Sequence, residues 1–125
     1  MCPVLIHAAA FEESISKIAL IEPLSSYRLV VMNQYYSPRL IPSTVAGALT
    51  AYDLPDLAGC IAPRDLLMVN ITDQNGDRAE PELIESDLDV VRPAYSSAQA
   101  ENRLRIENLG DGQNIESVFS SWLKK

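Results

Sequence analysis

One histidine, two cysteines, one tryptophan and five glycines are all that this chain of 125 residues contains of those types, and each scarcity removes an option. Cys2 and Cys60 are far apart in sequence and form no C-x-x-C pair, so neither a zinc site nor a disulfide framework is signalled. Free or buried thiols are expected, with Cys60 a small buried hydrophobe because no base or cation adjoins it in sequence. Long apolar runs are missing as well. Stretches such as Ile18-Ala19-Leu20-Ile21 fall far short of the ~20 residues that cross a bilayer. Met1-Cys2-Pro3-Val4-Leu5-Ile6-His7 has no basic segment ahead of its apolar part and no small-residue cleavage site, so it does not read as a secretory signal. A cytoplasmic location is expected, unless the chain is a piece of a secreted parent. Basic clusters are absent too. With 10 lysines and arginines against 17 aspartates and glutamates, the formal charge of -7 opposes a nucleic-acid role, which needs a cationic face. Arg103 and Arg105 come nearest to one, and their alternation suggests the solvent side of a strand.

What is present suits a folded domain. Hydrophobic residues make up 47% and charged residues 22%, too apolar for a disordered chain, and the length fits one domain spanning 1–125. Residues 3–13 begin with proline, which suits a first helical turn, and continue through Leu5, Ile6 and Ala8-Ala9-Ala10, predicting a mostly buried helix. Ile18-Ala19-Leu20-Ile21 predicts a central parallel strand covered on both faces. From Glu22 to about Pro42 the pattern has no clean period, and an irregular connection with a short helix near Ser25 to Val31 is expected. Asp53-Leu54-Pro55 can cap and open a helix that Pro63 stops. Leu66-Leu67-Met68-Val69-Asn70-Ile71 is the strongest strand, ending in the turn cluster Thr72 to Asp77. Over 80–100, Leu83, Ile84, Leu88, Val91 and Tyr95 recur at three-and-four spacing, predicting an amphipathic helix bent or broken before Pro93. Leu104-Arg105-Ile106-Glu107 alternates as an edge strand does. Gly110-Asp111-Gly112 turns the chain into a closing helix carrying Ile115, Val118, Phe119, Trp122 and Leu123, which ends at Lys124-Lys125. The resulting order predicts an α/β fold: a small parallel sheet of about three strands with helices on both faces, joined by right-handed crossovers.

The segment Ala51-Tyr52-Asp53-Leu54-Pro55-Asp56-Leu57, followed by Ile61-Ala62-Pro63-Arg64-Asp65-Leu66-Leu67-Met68-Val69-Asn70, closely resembles a signature of acetylxylan-esterase-like (cephalosporin-C deacetylase-like) α/β-hydrolases. His7-Ala8-Ala9-Ala10-Phe11 is similar to the helix after that family's nucleophile elbow, and Trp122-Leu123-Lys124 to the end of its last helix. The resemblance covers nearly the whole chain and implies the C-terminal part of such a fold. The family places its serine on a G-x-S-x-G turn beside an oxyanion hole. No G-x-S-x-G occurs here, and under the resemblance the chain begins just after that turn, so the nucleophile and the earlier strands would lie in a preceding portion. The position of the triad acid falls on Asp73, which would orient a histidine, or else simply cap a turn. The family's histidine follows the last strand, and here that segment, Asn108 to Asn114, contains none. The sole histidine, His7, is expected to be a core or groove residue. The resemblance therefore implies a hydrolase-derived module without activity of its own. The alternative is the C-terminal part of a carboxylic-ester hydrolase completed by an upstream segment or a partner chain.

No cofactor is implied. Asp73, Asp77, Glu80 and Glu82, with Asn75 and Gly76, faintly resemble a calcium loop, but the twelfth place counted from Asp73 is Ile84 rather than a bidentate glutamate, so no metal site is expected. Tyr35 and Tyr36 are expected to pack the irregular excursion rather than line a groove. Strands that read as fully buried, in a fragment with few neighbours to bury them, imply self-association or association with an upstream hydrolase portion.

Overall fold

The computed structural model describes residues 2–110 and 112–124, and it is a three-stranded parallel sheet with helices on both faces. The strands are β1 (Lys17–Ile21), β2 (Asp65–Val69) and β3 (Leu104–Glu107), in the order β1-β2-β3. The helices are α1 (Cys2–Phe11), α2 (Tyr27–Met32), α3 (Leu54–Cys60), α4 (Pro81–Ser97) and α5 (Ile115–Leu123). Register runs Lys17 to Asp65 and Ile21 to Val69 across the first pair, then Leu66 to Leu104 and Val69 to Glu107 across the second. Among the described residues no helix is long and apolar enough to cross a membrane.

Alternation along the strands sorts the core into two layers. Ile18, Leu20, Leu66 and Met68, with half-buried Leu104 and Ile106, pack beneath α1, α3 and α4 together with Ile6, Ala9, Leu57, Ile61, Leu88, Val91 and Tyr95. The opposite face carries Ala19, Leu67 and Val69 against Trp122, Val118 and Ile115 of α5 and Leu109. The first layer is much the larger, because three helices share it. Gly59 lets α3 and α4 approach closely, since a Cβ there would stand 3.2 Å from that of Ala94.

Three expectations are corrected. The Ile18–Ile21 run is not central but an edge strand, with β2 in the centre. Its cover is also one-sided: Ile18 and Leu20 are buried beneath α1, whereas on the other face Ala19 is half-buried against α5 and Lys17 and Ile21 are exposed. Pro93 does not break α4, which runs through it without interruption. The carbonyl that Pro93 cannot satisfy belongs to Asp89, an exposed position where water is at hand. Cys60 is exposed rather than buried, lying in the last turn of α3 on the side away from the core residues Leu57, Ala58 and Ile61. Cys2 and Cys60 are both free thiols.

Helix ends are fixed by side chains that the sequence put in place. Asp53 caps α3 through Leu54 N–H at 2.7 Å and closes a capping box with Asp56. The same carboxylate also accepts from the N–H groups of Tyr27 (2.6 Å) and Arg28 (3.1 Å) at the start of α2. One aspartate thus holds two helix N-termini, and favours both through their dipoles. Arg64 donates to the carbonyls of Glu12 and Ile15, 3.0 and 2.9 Å away, pinning the end of α1 to the start of β2.

Candidate functional site

In open parallel sheets ligands bind beyond the carboxyl ends of the strands, and here the first two strands end abruptly. Glu22 and Asn70, which follow the paired Ile21 and Val69, have φ of +52° and +53°. Asparagine visits this left-handed region readily, whereas glutamate does so at a cost of roughly 1–2 kcal/mol. Together with Thr72, Gly76, Asp77 and Arg78 they line a shallow polar depression of about 300 Å³. Its groups are carboxylate, amide, hydroxyl and guanidinium, with neither thiol nor imidazole among them.

Asp73 follows the buried Thr72 just past β2. Thr72 N–H donates to Pro23 O at 2.8 Å, and Ser25 N–H donates to Thr72 O at 3.0 Å, extending the contact between the two strand exits. The Asp73 carboxylate accepts from Asn75 N–H (2.8 Å) and Asp77 N–H (3.1 Å), while its own N–H donates to Asp77 O (2.8 Å). Gly76, at φ +84°, completes the reversal. One carboxylate oxygen is therefore committed to closing its own loop, the turn-capping role. The loop after β3 comes close to this region, because Leu109 N–H donates to Asn70 Oδ1 at 2.8 Å. It then turns on Gly110 and Gln113. Asp111 lies outside the described residues.

His7 is engaged elsewhere. Its Nδ1 lies 2.6 Å from Pro3 O and its Nε2 3.0 Å from the Tyr52 hydroxyl, with the two rings edge to face. A carbonyl only accepts, so Nδ1 carries a proton, and Nε2 shares a hydrogen bond with the Tyr52 hydroxyl. The imidazole ties α1 to the segment before α3, and its hydrogen bonds do not involve Asp73. Tyr35, expected to pack, is instead 77% exposed, and Tyr36 is exposed as well.

One buried polar cluster was not read from the sequence. Asp87, on α4, is buried, and accepts from Ser25 Oγ at 2.6 Å and from Arg28 Nη2 at 3.0 Å, while Arg28 also reaches Ser86 Oγ at 2.9 Å. A small, partly open and mostly apolar cavity of about 20 Å³, lined among others by Ile6, Leu20, Leu54 and Met68, also touches Ser25 and Asp87. A serine that donates to a carboxylate is held, but it is not deprotonated near neutral pH without a stronger base. The cluster ties α2 to α4. Its only sequence signal is an acid inside the apolar stripe of α4 between Ile84 and Leu88. Elsewhere burial pushes the Cys2 thiol and the Tyr27 phenol above their ordinary ranges, whereas a hydrogen bond from Ser14 lowers the exposed Glu12 carboxyl.

The chain matches no family model, no curated protein and no solved structure.

Proposed function

We propose that this chain is a hydrolase-derived domain, acetylxylan-esterase-like in origin, that lacks catalytic activity of its own and serves as a structural or interaction module. The observation that carries the reading is the meeting of the β2 and β3 exits. Asn70 holds the post-β3 loop by Leu109, and a triad base would have to come from that loop, yet Asn108 to Asn114 supply no imidazole. No other side chain type there takes a proton from a serine near neutral pH. The Asp73 carboxylate, at the acid position that the resemblance implies, gives one oxygen to its own turn and has no histidine in the post-β3 loop to orient.

The alternative is a carboxylic-ester hydrolase completed from upstream. Its support is the outer edge of β1, which no strand among the described residues pairs and where further strands would add. A preceding polypeptide would bring a serine, but the base would still be missing. The test is hydrolysis of small aryl and acetyl esters by the purified chain, alone and mixed with any polypeptide encoded upstream in frame, against a control whose serine is chemically blocked. No turnover above that control is expected in either case. Turnover that the blocking reagent abolishes would remove the proposal.

A further inference from the structure

Residues 33–52, between α2 and α3, hold to themselves better than they hold to the domain. Among them Ala48 is the only buried residue, with Leu40 and Tyr52 half-buried against the core. Ile41, Val45 and Leu49 stay exposed, as do Tyr35 and Tyr36. The connection after β2 is shorter and better anchored, since Ile71, Thr72 and Ala79 within it are all buried. Bonds inside the segment are short-range: Leu40 N–H donates to Ser37 O, Thr44 N–H to Ile41 O, Ala48 N–H to Val45 O and Tyr52 N–H to Ala48 O. Beyond the adjoining turn of α2, three bonds reach the rest of the domain. Ser37 N–H donates to Gln74 O, the Tyr27 hydroxyl donates to Ser43 O, and the Tyr52 hydroxyl meets His7 Nε2. An apolar cleft of about 320 Å³ lies between Val45 and Leu49 on one side and Tyr27, Val30 and Val31 of α2 on the other, so the segment does not pack closely there.

The two roots of the segment are joined by one side chain. It leaves from the end of α2 and returns at Asp53, whose Oδ1 accepts from Tyr27 N–H (2.6 Å) and Leu54 N–H (2.7 Å) and whose Oδ2 accepts from Arg28 N–H (3.1 Å). That carboxylate closes a ring of chain from Tyr27 to Asp53. Segments with few buried contacts and a defined boundary open locally, ahead of the rest of a fold. We propose that residues 33–52 are a strap that opens as one unit while the sheet and its helices stay folded, with Asp53 as the clasp. Shut, the strap covers Tyr27 and Val30, which are buried. Open, it leaves them continuous with the exposed Val31 and Met32, as an apolar face on α2.

Arg39 is the one lysine or arginine between Arg28 and Arg64, so trypsin reads strap opening at a single bond, Arg39–Leu40. Cleavage there should proceed while the core stays folded by circular dichroism, at a rate set by the open fraction of the strap. Ile18→Ala weakens the core and should leave that rate within about twofold of the parent's, because local opening does not pass through unfolding. If the strap opened only on global unfolding, the same variant would speed the cut about a hundredfold or more. Asp53→Asn keeps an oxygen to cap α3 but sets its amide NH2 against the Arg28 N–H, and should speed the cut about tenfold. Hydrogen exchange gives a separate reading. The amides of Thr44, Ala48, Thr50 and Tyr52, all bonded within the strap, should share one protection, about a hundredfold or more below that of β2. A cut that Ile18→Ala accelerates in step with unfolding, an Asp53→Asn rate equal to the parent's, or strap amides as protected as those of β2 would each overturn the proposal. If either variant fails to fold, the exchange pattern of the parent decides.

Discussion

The two edges of the sheet are built on opposite principles. At β3, Arg105 Nε pairs with Glu107 Oε1 at 2.7 Å and Arg105 also reaches Ser121, while Arg103, just before the strand, donates to Pro63 O. All four β3 residues are half-buried. Charges on a short edge strand are a standing defence against added strands, because pairing would desolvate them. At β1 the side chains of Ile18 and Leu20 are each only 1% exposed, Lys17 is the single charge within the strand, and the bordering helix shows apolar residues to water. One edge resists addition and the other has little to resist it with.

The largest effect expected from breaking this contrast is on stability. Ile18→Ala opens a cavity beneath α1 at a fully buried position and should cost about 4 kcal/mol, whereas Ile106→Ala on half-buried β3 should cost about half as much. Urea unfolding of the two variants measures the difference, and equal losses would mean that the β1 side is no better packed than the β3 side. Close behind comes Asp53→Ala. It frees N–H groups at the starts of both α2 and α3 and should cost about 3 kcal/mol, against about 1 kcal/mol for Asn114→Ala, which caps only α5 through Glu116 N–H. The same urea titration reads both.

Removing the charge at the guarded edge should make it behave like the open one. Arg105→Val with Glu107→Val replaces an ion pair by two strand-forming apolar residues on half-exposed backbone. Association through β3 should rise about tenfold, since no charge on the strand then guards that edge. Sedimentation at matched concentration checks this. A variant no more associated than the parent would show that the charges at β3 do not guard that edge.

Much of the fold was legible because it depends on local pattern. Asp53-Leu54-Pro55 gave the start of α3, the three-and-four spacing of Ile84, Leu88, Val91 and Tyr95 gave the buried stripe of α4, and Leu66 to Val69 gave the core of β2. What was misread depends on neighbours distant in sequence. Whether Ile18–Ile21 is central or at an edge is decided by what pairs with it, and a four-residue apolar run reads the same either way. Cys60 and Tyr35 were assigned to the interior on residue type, but a short helix end and an irregular excursion leave them in solvent. The Asp87 cluster joins residues more than 50 positions apart, and an acid on an amphipathic helix reads by default as solvent-facing. At the strand exits, the missing imidazole was visible in the sequence. The commitment of Asp73 to Asn75 and Asp77 needed coordinates, because the same residues allow the carboxylate to face either its loop or a cleft.

The smallest expected effect separates the two sides of the sheet by pH. Burial raises the phenol of Tyr95 far above its ordinary range and that of Tyr27 to a lesser degree, since both rings lie in the large core layer, Tyr95 donating to Arg64 O at 2.9 Å and Tyr27 to Ser43 O at 2.8 Å. A phenol held protonated in the fold binds more protons there than in the unfolded chain. Its contribution is therefore complete below the unfolded value of about 10 and is lost as pH rises beyond it. Tyr95→Phe removes both the bond to Arg64 and that linkage. It should cost about 1 kcal/mol near neutrality and yet flatten the decline in stability between about pH 9 and 11. Tyr27→Phe, on the β1 side, should flatten it less. Urea midpoints by circular dichroism at several alkaline pH values give the slopes. A Tyr95→Phe slope as steep as the parent's would place the alkaline weakness on the β1 side, in Tyr27 and the raised Cys2 thiol, rather than beside β3.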